Sequence, residues 1–344
     1  MSDIKLHIYY KIVNKPWGGA NQFLKALSNY FRQKGCYVES PYEADVILAN
    51  SHHFFGNAGS LKFIRKIRNK NNSIIIQRVD GPIFCVRGRD SKLDRIIFDF
   101  NRYVADGTIF QSRWSQNQSY LKGMKHNNFE TTINNAADPN IFHPKEEKKI
   151  VSNSDEKIKI IATSWSKNKR KGFDVYKFLD ENLDFNRFEM TFVGNSPITF
   201  RNINHIPPQP SEKLADLLRD HDIFITASIN DPCSNSLIEA LYCGLPSLVI
   251  NSGGHPEIIG NGGLMFEGTD DVLTTIDKLV KNLNQYRKAI DISHIDKVGR
   301  DYYNFCKNVY ESVQRGEYKP KKFSLITYWR LRFRIFMRGR FADN

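Results

Sequence analysis

The chain has no apolar run approaching the roughly 18 residues that a membrane-spanning helix needs, so a bilayer-embedded helical protein is not expected. Residues 1–19 lack the charged, apolar and small-residue regions of a secretory signal, and none is expected there. Cysteine is sparse: Cys36, Cys85, Cys233, Cys243 and Cys306 are odd in number, widely scattered and contain no C-x-x-C. That argues against a disulfide framework or a zinc site, and for a reducing, cytoplasmic setting. There is no H-E-x-x-H, no P-loop and no G-x-S-x-G, which sets aside zinc proteases, P-loop NTPases and serine hydrolases of the nucleophile-elbow type. Internal repeats and low-complexity tracts are also missing.

What is present is an ordinary globular composition: 344 residues, 40% hydrophobic and 25% charged, enough for two domains with cores of their own. The net charge is +13. Such an excess favours anionic partners: nucleic acid, a phospholipid surface or phosphorylated small molecules. Residues 315–344 hold nine basic and two acidic side chains, so this tail carries +7 and the other 314 residues only +6.

Apolar, β-branched runs at 4–13, 45–50 and 73–79 predict buried strands, with weaker strands at 103–105, 108–111 and 130–134. Helical spacing covers 20–33 and 59–70. After a polar linker candidate at 138–157, a second series predicts strands at 158–163, 188–193, 222–226 and 246–250, alternating with helices at 172–182, 211–219, 235–243 and 270–286. Nearly all-apolar strands alternating with helices imply parallel sheets covered on both faces. The expected architecture is two Rossmann-like, doubly wound α/β domains facing a cleft, over residues 1–145 and 146–305. Residues 306–344 form a helix and basic tail that cross back to the first domain.

Segment 222–268 carries the most chemistry. A strand ends at Ala227-Ser228, the next loop holds Asp231, and Ser234-Asn235-Ser236 can cap the following helix. Unpaired N–H groups and the macrodipole make such a helix start an anion site without a metal. Glu239 follows Asp231 by eight residues, so the loop and the helix can present two carboxylates to one ligand. Beyond them lie Cys243-Gly244-Leu245-Pro246, Gly253-Gly254-His255-Pro256-Glu257 and Gly263-Leu264-Met265-Phe266. In order and spacing these elements resemble the donor site of retaining GT-B glycosyltransferases of the family 4 type. The first acid is Asp where that family usually has Glu.

The resemblance implies that Glu239 holds the ribose of a nucleotide diphosphate sugar, that Asp231 contacts sugar hydroxyls, and that Ser234, Asn235 and Ser236 take the diphosphate through their backbone. Residues 164–174 (SWSKNKRKGFD) resemble the family's Gly-Arg-Leu…Lys-Gly-x-Asp, with Lys171 as the lysine facing the leaving diphosphate. The paired arginine would fall near Ser166 and is missing; Arg170, Lys167 or Lys169 is left to supply charge, and Ser164 or Ser166 a hydrogen bond. Gly194 ends the next strand, and residues 205–210, beginning with His205 and Ile206, would lie beside the base.

In the N-terminal half, Gly18-Gly19 opens a helix straight after the first strand, where the family loop faces the diphosphate. His52 and His53 follow the second strand, and Asp80 and Arg87 follow the third, where open α/β sheets place active groups. Asp80 is expected either to line the acceptor side as a catalytic or sugar-binding group or to tie down its turn. Arg87 and Arg89 either grip an anionic acceptor or face solvent. Asp220-His221-Asp222 imitates a metal-binding Asp-x-Asp but precedes a strand, so it reads as a turn, and no metal or cofactor is expected.

The tail spaces Leu325, Trp329, Phe333 and Phe336/Met337 apart from Arg330, Arg334 and Arg338, a basic amphipathic pattern. It suits an anionic membrane surface through residues 319–341, or packing on the N-terminal domain. No nucleic-acid motif accompanies the charge. The function implied is transfer of a sugar from a nucleotide diphosphate donor to a saccharide or lipid-linked acceptor. It would be retaining and metal-independent, in cell-surface polysaccharide or glycolipid synthesis, with the enzyme cytoplasmic and with or without peripheral attachment at the inner membrane face. The alternative is a non-catalytic nucleotide-sugar-binding or scaffold protein on the same fold.

Overall fold

The computed structural model describes residues 4–13, 19–50, 58–145 and 156–340. Two compact units divide the chain, one made of residues 1–12, 24–134 and 296–344, the other of 13–23 and 135–295. The passages between units fall at 134/135 and 295/296, about ten residues before the boundaries expected at 145/146 and 305/306. Contacts explain both offsets. Asn135 is bonded to Cys233 and Asn235, and Arg219 donates to the Ile141 carbonyl, so residues 135–145 belong with the second unit. At the other passage, Tyr302 and Cys306 are buried and Phe305 lies against Gly107, so the helix Ile295–Gln314 is part of the first unit.

The first sheet is parallel, in the order β1 (Leu6–Tyr9), β2 (Val46–Asn50), β3 (Ile74–Val79), β4 (Gly107–Phe110) and β5 (Phe129–Thr132). β2, β3 and β4 are buried along their whole length, as strands covered by helices on both faces are, even though β3 carries Gln77 and Arg78. Around them run α1 (Gly19–Gln33), α2 (Ala58–Asn71), α3 (Ile83–Arg87), α4 (Ser91–Tyr103) and α5 (Arg113–Leu121). The strand expected at 103–105 is absent: Tyr103 ends α4, and Val104 and Ala105 are the buried turn that leads into β4.

The second sheet, also parallel, runs β11 (Gly263–Phe266), β10 (Ser247–Ile250), β9 (Ile223–Thr226), β6 (Ile158–Ser164), β7 (Phe188–Gly194) and β8 (Asn204–Ile206). Its helices are α6 (Phe173–Asn182), α7 (Ser211–Arg219), α8 (Asn235–Tyr242), α9 (His255–Ile259), α10 (Val272–Lys281) and α11 (Leu283–Lys288). The single helix expected over 270–286 is two, because Asn282 leaves helical geometry at φ −128°. The strand order steps outward from the β6/β9 pair in both directions, which opens a crevice at the carboxyl ends of those strands.

The chain ends in α12 (Ile295–Gln314) and α13 (Leu325–Arg340). α13 packs against α2 and α4 through Tyr328, Leu331 and Ile335, with Phe323 just ahead of it. Its approach is anchored by a buried ion pair, Arg68 Nη1 to Asp106 Oδ2 at 2.6 Å, whose guanidinium also donates to the Lys321 carbonyl. The packing reading of the tail therefore holds for one face of α13.

Candidate functional site

The crevice of the second unit holds a pocket of about 290 Å³. Its walls come from the ends of β6 and β7, the loop after β6, the loop after β9, and the starts of α7, α8 and α1. Of the sequence-predicted residues, Lys171, Asp231, Glu239, Ser234, Asn235, Ser236, Gly19, Ser164, Ser166 and Gly194 line it together.

Glycine geometry makes the loop after β6 possible. Gly172 sits at φ +75°, and a Cβ there would fall 2.2 Å from the Ala227 carbonyl oxygen. Gly194 sits at φ +130°, where a Cβ would lie 1.9 Å from the Ser164 carbonyl oxygen. Only a glycine fits either place. The approach lets Ile229 N donate to the Arg170 carbonyl at 2.8 Å, which holds the 165–172 loop beside the loop bearing Asp231. Lys171 Nζ then meets Asp231 Oδ2 at 3.0 Å, their side chains 29% and 15% exposed.

Asp231 is over-determined. Cys233 N donates to its Oδ1 at 3.3 Å, and Gly254 N donates to its carbonyl at 2.8 Å. The Gly253 position, φ +67°, is so close to Asp231 O that a Cβ would come within 2.3 Å. The Gly-Gly pair ahead of α9 thus supports the acid loop rather than touching the pocket itself. Burial pushes the Asp231 carboxyl up, but the charges of Lys171 and His255 and the hydrogen bonds from Lys171 Nζ and Cys233 N outweigh it and hold the pKa below the usual carboxylate value. His255 is fully buried, and its Nδ1–H donates to the Ile250 carbonyl at 3.2 Å.

Glu239, about one turn along α8, is the opposite case. It is buried, and among the described residues no hydrogen bond or ion pair reaches its carboxyl group. Burial pushes its pKa to about 8. Its carboxyl stands at the pocket wall, where hydrogen-bond donors of a bound molecule can reach it. The start of α8 is capped by Ser234, whose Oγ accepts from Leu237 N at 3.4 Å, and its other first-turn N–H groups have no intrahelical partner. Gly19, at the start of α1, lies so near Asn235 that a Cβ would come 2.5 Å from the asparagine Cβ. Two helix starts therefore converge on one wall, and their dipoles add at that point.

Other predicted residues lie elsewhere. Arg170 spends its peptide on the loop and does not line the pocket, so Lys171 is the basic side chain there. His205 and Ile206 belong to edge strand β8. The His205 ring turns back to donate from Nε2 to the Gly194 carbonyl at 2.9 Å, and the chain reaches the pocket only at Pro208 and Gln209. Asp80 lies in the first unit, bound by Arg78 Nη1 at 2.6 Å and by Gln111, with 21% exposure of its side chain. Arg78 is fully buried and also reaches Asn50 and Tyr302. Arg87 ends α3 on the exposed surface of that unit, and Arg89 is exposed nearby. Gly18, His52 and His53 lie outside the described residues.

Asp220-His221-Asp222 is a turn. His221 donates from Nδ1 to the Leu217 carbonyl and accepts at Nε2 from Thr191, while Asp222 receives Lys159 N. Sequence reasoning assigned no role to Gln22, Thr163, Trp165, Cys233, Ser211 or Leu214, which also line the pocket. Trp165 was findable, since it directly follows the carboxyl end of a buried strand.

Residues 198–293 match the family model described as Glycosyl transferases group 1. Over those residues, under a third of the chain, the protein is similar to that family, and its two parallel-sheet α/β units have the fold of the GT-B glycosyltransferases. Among solved structures it is similar to Anabaena HepE in complex with UDP-glucose (TM-score 0.62, 13% identity, covering 91% of this chain and 100% of that one). It is likewise similar to sucrose-phosphate synthase of Thermosynechococcus elongatus (TM-score 0.63, 13% identity, 100% of both chains). In sequence it is similar to the GPI3 subunit of yeast (Saccharomyces cerevisiae) phosphatidylinositol N-acetylglucosaminyltransferase, 32% identical over 95 residues, 27% of this chain and 21% of the relative. The D-inositol 3-phosphate glycosyltransferase of Rhodococcus jostii is 33% identical over 82 residues, 23% of this chain and 18% of the relative. The chain thus spans about a fifth of the length of the curated relatives it matches.

Proposed function

We propose that the protein is a glycosyltransferase that moves a sugar from a nucleotide diphosphate donor, with the donor held in the second-unit pocket. The observation that carries this reading is Glu239: a buried carboxyl without a partner, in the same pocket as Lys171, Asp231 and two convergent helix starts. An ionised carboxylate accepts two hydrogen bonds from a vicinal diol such as a ribose. The helix starts and Lys171 suit the diphosphate, and Asp231, already ionised, is left to receive sugar hydroxyls.

As the glycosidic C–O bond breaks, negative charge grows on the diphosphate. Lys171 and the first-turn amides of α8 stabilise that charge more in the transition state than in the ground state, which is how they raise the rate. Because these groups supply the positive charge, the transfer needs no metal, and the family 4 likeness suggests retention of configuration. Solved neighbours bound to UDP-glucose and to ADP support a nucleotide-sugar donor. Relatives named for phosphatidylinositol and inositol phosphate support a polyol, saccharide or lipid-linked acceptor, in the synthesis of a polysaccharide or glycolipid.

The test is turnover of UDP-, GDP- and ADP-sugars by wild type and Glu239→Ala, with saccharide and lipid-linked acceptors. Turnover by wild type that collapses in the variant is the expected result. Donor binding without turnover on any acceptor would instead make the chain a non-catalytic nucleotide-sugar binder.

A further inference from the structure

α13 is amphipathic in three parts rather than two. Its inner side carries Tyr328, Leu331 and Ile335 into the core of the first unit. Next to that side, Arg334 Nε pairs with Asp99 at 2.5 Å and Arg338 Nη2 with Asp90 at 2.6 Å, so the charges nearest the body are neutralised there. The outer side is apolar. Ile326 is 81% exposed, Phe333 62%, Trp329 58%, Leu325 56% and Phe336 54%. At about 100° per residue these five fall within an arc of about 100°, a single stripe along the helix.

Two arginines border that stripe, Arg330 on one side and Arg332 on the other by the same helical count. Arg330 stands over the Tyr103 ring at 5.1 Å and Arg332 over the Trp329 ring at 5.1 Å. Neither is ion-paired with an acid among the described residues. Lys319 and Lys322, just ahead of the helix, are exposed as well. An apolar row of this kind on a helix held against a folded body is a ridge and not a groove.

We propose that α13 is a membrane-docking ridge. It lies parallel to the surface of an anionic bilayer, with Leu325, Ile326, Trp329, Phe333 and Phe336 at the boundary between headgroups and acyl chains and Arg330 and Arg332 on lipid phosphates. The chemistry is complementary on both counts. Aromatic and aliphatic side chains leave water for the interface, where Trp is favoured, and each cation adjacent to an anionic surface strengthens attachment roughly fivefold. The inference stands apart from the transferase reading, because no residue of the pocket takes part.

The full chain is mixed with phosphatidylcholine vesicles, with and without phosphatidylglycerol, and sedimented. Binding is expected only with the anionic lipid, weakened roughly twenty-five-fold by Arg330→Ala with Arg332→Ala, and abolished by Trp329→Ala with Phe333→Ala. Brominated acyl chains should quench part of the tryptophan emission, and Trp329→Phe should remove that quenching while leaving binding intact. Equal binding to neutral vesicles, no binding, or quenching unchanged in Trp329→Phe would each overturn the proposal. So would a dimer that Trp329→Ala with Phe333→Ala dissolves, or a salt-sensitive RNA affinity that the arginine variant removes.

Discussion

If Glu239 is the anchor for the donor's pentose, nucleotide-sugar binding must expel a proton. In the free protein burial sets the Glu239 pKa at about 8, so at pH 7 roughly nine in ten molecules carry the neutral acid. A ribose diol is best held by the ionised form. Binding at pH 7 should therefore release about 0.9 proton per donor, and affinity should fall about tenfold per pH unit as pH drops below 8. At pH 6 the dissociation constant should be about a hundredfold above its alkaline plateau. The diphosphate of a sugar nucleotide is a diester with no proton to exchange in this window, and Asp231, held low by Lys171 and His255, does not titrate there either. Calorimetry in buffers of different ionisation enthalpy measures the proton count directly. The stability of the free protein moves with the same group: with the folded pKa raised from 4.5 to about 8, its stability is full below about 4.5, falls by a few kcal/mol as pH rises from there to about 8, and is level above. Glu239→Gln should bind more weakly at alkaline pH, release no proton and lose that decline. Flat affinity and zero proton release from pH 6 to 9, or a Gln variant with the wild-type pH profile, would refute the reasoning.

Lys171→Ala should lower donor turnover by about 10²–10³, the usual cost of deleting one charge-stabilising group, with a smaller change in KM; steady-state kinetics decide this, and Lys171→Arg should retain part of the rate. Gly194→Ala puts a methyl 1.9 Å from the Ser164 carbonyl at φ +130°, so it should cost at least about 2 kcal/mol in urea melts and loosen the pocket's floor. Asp106→Ala removes the partner of buried Arg68 and should cost about 3–5 kcal/mol, read as a lower unfolding midpoint together with faster proteolysis near residue 321.

Much of the second unit could be read from sequence because its strands are mostly apolar and its turns are marked by glycines that geometry demands. Gly172 and Gly194 each occupy positive φ with no room for a side chain, so the Lys-Gly and strand-end Gly signals were physical ones. The helix start at Ser234 declared itself through its capping residues. What escaped was anything settled by a side chain's final direction. His205 and Arg170 sit at the right place in the chain, yet one turns inward to a carbonyl and the other meets the acid-bearing loop through its own carbonyl and does not line the pocket. Asp80 follows a strand as an active residue would, but the buried Arg78 claims it, and a guanidinium at the centre of a sheet gives no sequence signal. The stripe of α13 was legible as a period; which arc of it packs depended on the partners α2 and α4.

The Arg68–Asp106 clasp grips the segment before α13 mainly by its main chain: the guanidinium takes the Lys321 carbonyl, and Asp106 takes the Lys321 amide at 2.9 Å. Peptide groups are the same in every residue but proline at the amide, so this part of the mooring does not depend on the side chain at 321, whose ammonium adds bonds of its own to the Asn101 carbonyl at 3.1 Å and Asn127 Oδ1 at 2.9 Å. A chimera that grafts an unrelated amphipathic helix onto that point would inherit the attachment intact. If α13 docks on a bilayer as proposed, the surface the protein visits could then be exchanged without re-engineering its body.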